Sequence, residues 1–209
     1  MDIDTKPNPA SRLSPERYAH LLAIAAEVFL ARGLGNTTIE QIAQLAGISK
    51  ATIYRRFRNK EELFEEVILT VTTEMAQALD AIELKVAAPE LTLRAAAQAI
   101  NASLRLPRHV EVMRALIAEA SRQPELVKHA RLRMVATLTG KLNEYFQQLI
   151  DAGIMVSTYS QQTAVSFVFL ASGGLRPLLN ATADQVDDER RLEADLQMFL
   201  RGCGLRAEL

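Results

Sequence analysis

The sequence predicts an all-α fold, in which a small three-helix head at the N-terminus precedes a larger C-terminal helical bundle. Apolar residues recur at the three-to-four-residue spacing of helices, and convincing strand-like alternation is absent. Helix-capping residues stand in front of several of these apolar stretches. Hydrophobic residues make up 49% of the chain, which is enough for an ordinary buried core.

The head begins with a clear series of helix signals. Residues 1–13 are polar and predict a flexible arm, and Ser14 then caps a first helix with Pro15 at its first position. Glycines end this helix after residue 32. Thr38 and Gln41 form a capping box that opens a second helix of about two turns, and Gly47 permits a sharp turn after it.

The third helix is predicted from Lys50 to about Phe57, with Ser49 as its N-cap and Ile53 and Phe57 facing inward. Residues 59–62 read as a further capping box that opens a long fourth helix. We therefore place the head at residues 14–59 and the body at residues 60–209. Within the body, prolines, glycines and apolar spacing predict helices near 91–106, 108–122, 124–152, 161–179 and 185–202.

Residues 38–57 have the organisation of a helix-turn-helix, in which two short helices are joined by a tight glycine turn. The second helix of such a pair lies in the major groove with its N-terminal residues toward the bases. Residues 12–60 contain eight basic and three acidic residues, an excess of about five positive charges that suits a phosphate-binding surface. The candidate DNA-contacting residues are Thr37, Thr38, Ser49, Lys50, Ala51, Thr52, Tyr54, Arg55 and Lys60.

These candidates divide by role. Lys50 and Thr52 are the candidates for base contact, whereas Tyr54 and Arg55 follow one turn later and reach phosphates. Lys60 stands at the start of the fourth helix, where the helix dipole and free amides also favour an anion. The plainer interpretation, a solvated basic face, remains open for the arginines and best fits Arg56.

Several other classes of function lack support in the sequence. Net charge is −1, and the single Cys203 excludes an intrachain disulfide and a cysteine-based metal site. The histidines at 20, 109 and 129 have no metal-ligand spacing, and no catalytic or cofactor motif is visible, so we expect no metal, no cofactor and no enzyme. Neither a signal peptide nor a membrane span is recognisable, which predicts a cytoplasmic protein.

The stretch LAIAAEVFLARGLGNTTIEQIAQLAGISKATIYRRFRNKEELF, residues 22–64, resembles the head of the TetR (tetracycline repressor) family. One departure is Arg55, where the family often has histidine. The segment RALIAEASRQPEL, residues 114–126, resembles the AefR-like branch of that family. The resemblance implies a homodimeric repressor of a double-stranded DNA operator, with a C-terminal body that binds a small molecule.

Both implied properties of the body have candidate residues. Adaptable or bulky apolar side chains on its central helices predict a pocket for a small apolar ligand, although plain core packing is the alternative for each: Met75, Met113, Leu116, Met134, Leu138 and Phe146. A ligand against the middle of the fourth helix, near Val71, Met75 or Leu79, would tilt it. The last two helices are predicted to form the dimer interface through Phe167, Leu170, Gly173, Gly174, Leu192, Leu196 and Phe199.

Three functions remain open from the residues. A dimeric repressor released from a palindromic operator by its ligand requires a hollow body and strong sequence preference. An architectural DNA-binding dimer requires neither, and its body would be solidly packed. A helical-bundle enzyme with a vestigial head is the weakest of the three, because no catalytic constellation is visible.

Overall fold

The computed structural model describes residues 13–156, 159–179 and 185–205. Across these ranges the chain forms nine α-helices and no strand, which confirms the all-α prediction. The predicted arm lies outside the described residues except for Leu13. The helices are α1 (Pro15–Arg32), α2 (Ile39–Leu45), α3 (Lys50–Tyr54), α4 (Lys60–Ala76), α5 (Pro89–Leu104), α6 (Pro107–Ala118), α7 (Pro124–Asp151), α8 (Ser160–Ala171) and α9 (Gln185–Gly202).

Side-chain caps fix the starts of the head helices, as predicted. The Ser14 hydroxyl accepts a hydrogen bond from the Arg17 amide at 3.3 Å at the start of α1. At α2 the capping box is complete, because the Gln41 amide donates to Thr38 at 3.3 Å and the Gln41 side chain accepts from the Thr38 amide at 3.1 Å. These caps satisfy backbone donors that a helix start leaves without intrahelical partners.

The two elements after the turn differ in detail from the prediction. Helix α3 ends at Tyr54 rather than near Phe57, although the Phe57 ring is still buried and stacks on Tyr18 with centroids 6.3 Å apart. Asn59 caps α4 by accepting from the Glu62 amide at 2.8 Å. The reciprocal bond of a capping box is replaced, because the Glu62 carboxylate accepts from the Arg58 amide instead, at 2.6 Å.

The predicted helix over 161–179 is too long. Helix α8 ends at Ala171, and Gly173 and Gly174 follow at φ values of 77° and 62°. Only glycine adopts this region without steric cost, so the pair lets the chain turn directly after α8. A short 3-10 helix, Pro177–Leu179, ends this described stretch. We call residues 172–179 the α8 turn segment.

Two hydrophobic clusters form the core. The first cluster contains buried residues of the three head helices, of α4, of α6 and of the N-terminal half of α7. It therefore crosses the predicted domain boundary between residues 59 and 60. Phe29 of α1 and Phe64 of α4 meet edge to face in it, with ring centroids 5.2 Å apart. The second cluster contains α5, the C-terminal half of α7, α8 and α9. Leu104 packs against both clusters.

Among the described residues, no helix is both long enough and apolar enough to cross a membrane.

Candidate nucleic-acid interface and apolar cavity

Helix α3 buries one side against the head and presents the other to solvent. Ile53 is fully buried and fixes the helix, whereas Lys50, Ala51 and Arg55 are exposed and Tyr54 is 45% exposed. Because Ala51 is small, the backbone of α3 can closely approach a duplex. Four of the residues predicted to contact DNA therefore lie on one accessible surface of α3 and its C-cap.

The N-terminus of α3 is organised by its own hydroxyls. Ser49 accepts from the Thr52 amide at 3.1 Å, and the Ser49 and Thr52 hydroxyl oxygens lie 2.8 Å apart in a hydrogen bond. The Arg55 guanidinium donates to the Thr52 hydroxyl at 3.0 Å. Thr52 is half-buried, and its hydrogen bond orients the Arg55 side chain. Thr52 also lies at the N-terminal end of α3, the end that faces the bases in a helix-turn-helix.

Lys50 is paired before any DNA is bound. Its ammonium donates to the Glu40 carboxylate on α2 and lies 5.5 Å from the centre of the Tyr54 ring. The hydrogen bond between them raises the pKa of Lys50 and lowers that of Glu40. Both groups are therefore ionised at neutral pH, and Glu40 offsets the positive charge of the surface at one of its two candidate base-reading positions.

The remaining head arginines have different surroundings. The Arg56 guanidinium lies over the Tyr18 ring, 5.0 Å from its centre, and the Tyr18 hydroxyl donates to Glu66 at 2.9 Å. Burial, followed by the Glu66 hydrogen bond, raises the pKa of Tyr18. Arg56 thus packs the chain just after α3 against α1, which fits its interpretation as the arginine least suited to DNA. The side chain of Arg58, by contrast, is 92% exposed.

One predicted DNA contact is wrong. Thr37 is only 1% exposed, and its hydroxyl donates to the Gly33 carbonyl at 2.8 Å, so it closes the turn after α1 and cannot reach a phosphate. Its neighbour Thr38 is exposed at the α2 N-cap, as a contact would require. Lys60 is half-buried at the first position of α4, where predicted.

An apolar cavity of about 290 Å³ lies in the body between α6, α7, α8 and the α8 turn segment. Three predicted pocket residues line it, namely Met113, Met134 and Leu138. Among the residues that the structure describes, no charged side chain does. Two hydroxyls line the cavity and are already bonded locally: Thr139 donates to Val135 and Ser172 donates to Phe169, both at 2.7 Å. At the mouth, Ile117, Phe169 and Leu175 are more than half exposed.

The other three predicted pocket residues lie elsewhere. Met75 and Leu116 are buried in the first hydrophobic cluster, and Phe146 is buried in the second. None of the three lines the cavity, because neighbouring helices cover them. Their bulk signalled burial, but sequence spacing does not distinguish a core position from a cavity wall.

Three of the seven predicted dimer-interface residues point into the core of the chain itself. Phe167, Leu192 and Leu196 are buried in the second cluster, and the ring of Phe199 lies 5.1 Å from that of Phe167. The assignments of Phe167, Leu192 and Leu196 were wrong because the apolar stripe of α9 packs on α8 and α5. Of the predicted set, Leu170 is half-buried. The outward faces of α8 and α9 include Gln162, Ser166, Phe169, Arg190, Ala194 and Met198.

A second, polar cavity of about 640 Å³ between α5 and α9 has no counterpart in the sequence analysis. Arg94 pairs locally with Glu90, but two ion pairs cross long sequence separations, Arg94 with Glu193 and Arg105 with Asp188. Such pairs leave no local signal in the sequence. In the described part of the chain, no three histidine, cysteine or acidic side chains are grouped to hold a metal ion.

Comparisons with known proteins agree with this architecture. Residues 21–67 match the family described as "Bacterial regulatory proteins, tetR family", and residues 91–202 match "AefR-like transcriptional repressor, C-terminal domain". The structure is similar to that of the "Flavonoid-responsive Regulator FrrA", with a TM-score of 0.77 and 25% identity, covering 93% of this chain and 100% of that one.

Two curated relatives illustrate the range of sequence similarity. The transcriptional repressor KstR2 of Rhodococcus jostii is 27% identical over 173 residues, which are 78% of each protein. The uncharacterized regulator YhgD of Bacillus subtilis is 41% identical over 68 residues, 32% of this chain and 36% of that protein. Alignments with YhgD and two further regulators span only 31–41% of those relatives' lengths.

The head match contains the capped helix-turn-helix, and the C-terminal match covers more than half of the chain, from α5 to the end of α9. Both units also occur in the same order as in the similar solved structure. This chain therefore belongs to the TetR family of bacterial regulatory proteins, with an AefR-like C-terminal domain.

Proposed function

We propose that this protein is a DNA-binding transcriptional regulator, specifically a homodimeric repressor released from a palindromic operator by a small apolar ligand. The observation that carries the proposal is the exposed, basic surface of α3, where Lys50, Tyr54 and Arg55 project from a helix whose opposite side is buried. Binding to chromosomal DNA would place the protein in the cytoplasm. Family membership supports regulation rather than catalysis as the function.

DNA binding is tested by separating phosphate from base contacts. Lys60→Ala should weaken binding to every duplex similarly and lower the salt slope by about 0.9 for each head, because a phosphate contact carries no sequence information. Thr52→Ala should instead change sequence preference. Quantitative binding to a pool of random duplexes at several salt concentrations distinguishes the two. An unchanged salt slope in Lys60→Ala would remove this residue from the interface.

We place the dimer interface on the outward faces of α8 and α9. Phe169 and Met198 are 62% and 66% exposed there, an unusual position for large apolar side chains unless a partner covers them. Two heads held about one groove repeat apart would read a palindrome. Met198→Arg should convert the dimer to a monomer in analytical ultracentrifugation, whereas Leu91→Arg, at a 70% exposed position on α5, should not. Equal behaviour of the two variants would place the interface elsewhere.

The size and lining of the cavity favour a ligand that is small and uncharged. Its volume is at the lower end of the usual range for small-molecule sites, and a charged group would lose its hydration there without gaining a partner. FrrA is described as flavonoid-responsive, so neutral aromatic compounds are a rational first class to screen. The architectural alternative calls for a solidly packed body, and the cavity argues against it.

Position suggests how such a ligand would act. Met113, Met134 and Leu138 belong to or pack on the cluster that contains the head, whereas Val168 packs on the other cluster. A ligand between them would move one cluster relative to the other, and a coupling of about 5–150-fold would be typical.

Filling the cavity tests this coupling without a known ligand. Val135→Trp should mimic a bound ligand and reduce operator affinity, whereas Ala136→Trp, on the exposed side of α7, should leave it unchanged. If Val135→Trp folds normally and binds DNA like the wild type, the cavity does not regulate the head.

A further inference from the structure

The α8 turn segment forms one wall of the apolar cavity through Leu175, Pro177 and Leu178. It is not a regular helix: two glycines at positive φ start it, and a single turn of 3-10 helix ends it. Leu175 is 60% exposed and Leu179 is 74% exposed, so little of the segment is anchored by burial. A ligand that enters the cavity must contact this wall.

Arg114 of α6 bonds this wall directly. Its Nε donates to the Leu178 carbonyl at 2.9 Å, and its Nη2 donates to the Pro177 carbonyl at 3.2 Å. Carbonyls at a helix C-terminus lack intrahelical donors and are favourable partners for a cation. The planar guanidinium contacts two adjacent carbonyls at once, which a single ammonium cannot do with the same geometry.

Helix α6 also forms the opposing wall and reaches the head. Met113, next to Arg114, lines the cavity together with Ile117, one turn further on. On the other side of the helix, Val112 and Leu116 are buried in the cluster that contains α1 and α4. Helix α6 contacts both α1 and α4.

A salt bridge also joins α6 to α4, the helix that follows the head. Arg108 of α6 lies 3.6 Å from Glu74 of α4. Because protein interiors are close-packed, a shift of α6 is passed to the helices against it. No side chain of α4 lines the cavity, so coupling through the middle of α4, which the sequence had suggested, gives way to coupling through α6.

We propose that Arg114 is the positioning residue that couples the cavity to the DNA-binding head, an inference that rests on the proposed function of the cavity. A ligand displaces the α8 turn segment, and the two hydrogen bonds of Arg114 move α6 with it. Helix α6 then shifts α1 and α4, and with them the spacing of the two α3 helices. Without the guanidinium, the segment yields to the ligand and its displacement is no longer passed to α6 through these hydrogen bonds.

The test uses N-phenyl-1-naphthylamine, a neutral apolar fluorophore, and a duplex selected from a random pool by the wild-type protein. Fluorescence measures binding of the fluorophore, and anisotropy of labelled duplex measures DNA affinity with and without it. Occupancy of the cavity is established by loss of fluorophore binding in Val135→Trp. Arg114→Met keeps an unbranched apolar stem and removes the guanidinium with its donors, and Arg131→Met, at an exposed arginine of α7, is the matched control.

The fluorophore should lower DNA affinity of the wild type and of Arg131→Met by about 5–150-fold. Arg114→Met should bind the fluorophore and, without it, the duplex about as the wild type does, but its DNA affinity should change less than twofold on fluorophore binding. Arg114→Lys should recover part of the response, because an ammonium still donates to one carbonyl. Hydrogen exchange of the intact protein should show α6 responding to the fluorophore in the wild type and not in Arg114→Met.

The outcomes distinguish two failures. If the wild type binds the fluorophore in the cavity but neither the fluorophore nor Val135→Trp alters DNA affinity, the ligand-release part of the proposed function is overturned, and the role of Arg114 with it. If the wild type responds and Arg114→Met responds equally, only the role of Arg114 is overturned. Loss of ligand-free DNA binding in Arg114→Met would also overturn it, because the residue would then be structural.

Discussion

Replacing Glu40 by glutamine should strengthen DNA binding. Glu40 pairs with Lys50 at the candidate base-reading end of α3, and both groups are exposed. In the wild type, Lys50 must leave this carboxylate before it can contact DNA, and the carboxylate itself repels nearby phosphates. Glu40→Gln removes both effects and leaves the shape of α2 unchanged.

The magnitude follows from the charge count. One additional cation free to neutralise a phosphate steepens the slope of log affinity against log salt by about 0.9. Between about 50 mM and about 200 mM salt, a fourfold change, the advantage of the variant should therefore shrink by about 3.5-fold for each head, or about 12-fold for a dimer with two heads. The gain should be largest at low salt.

Fluorescence anisotropy with a labelled duplex over this salt range measures the slope directly. Glu144→Gln, the same change at an exposed position of α7, is the charge-matched control and should leave the slope unchanged. In the double variant Glu40→Gln, Lys50→Ala the part of the gain that acts through Lys50 should be lost, and only relief of the carboxylate's repulsion should remain. A gain as large in the double variant as in Glu40→Gln, or a slope in Glu40→Gln equal to that of the wild type, would refute the reasoning.

Three further predictions concern groups that lie away from the α3 surface. Thr37→Val should lower the free energy of unfolding by about 1 kcal/mol, because it removes a buried hydrogen bond, and should leave DNA affinity unchanged. Weaker DNA binding by the folded variant would restore Thr37 as a DNA contact. Tyr145→Phe loses the 2.9 Å bond to the Lys85 carbonyl and should lower Tm by about 3 °C in calorimetry, and no change would mean that the bond contributes nothing. Burial raises the pKa of Cys203, so its reaction with a thiol reagent near pH 8 should be slower than in the unfolded chain, and equal rates would contradict that burial.

Local signals in the sequence were sufficient for the head. Each helix start there depends on a cap and the residues within three positions of it, as at Ser14, Thr38 and Ser49, and the structure confirms all three. The candidate DNA surface followed, because the side of a short helix opposite its buried residues must be exposed. Thr37 is the exception, since its burial depends on how the chain closes the turn after α1.

In the body, local sequence signals did not determine how the helices pack. The sequence identified its helices and their apolar residues, but an apolar stripe does not say which neighbour covers it. Phe167, Leu192 and Leu196 pack within their own subunit, and Met75, Leu116 and Phe146 fill the core. Only the tertiary structure decided that Met113, Met134 and Leu138 face a cavity, and that Arg114 meets carbonyls more than 60 residues away. Caps and helical spacing are set by neighbours along the chain, whereas cavities, interfaces and long-range hydrogen bonds depend on how the helices pack against one another.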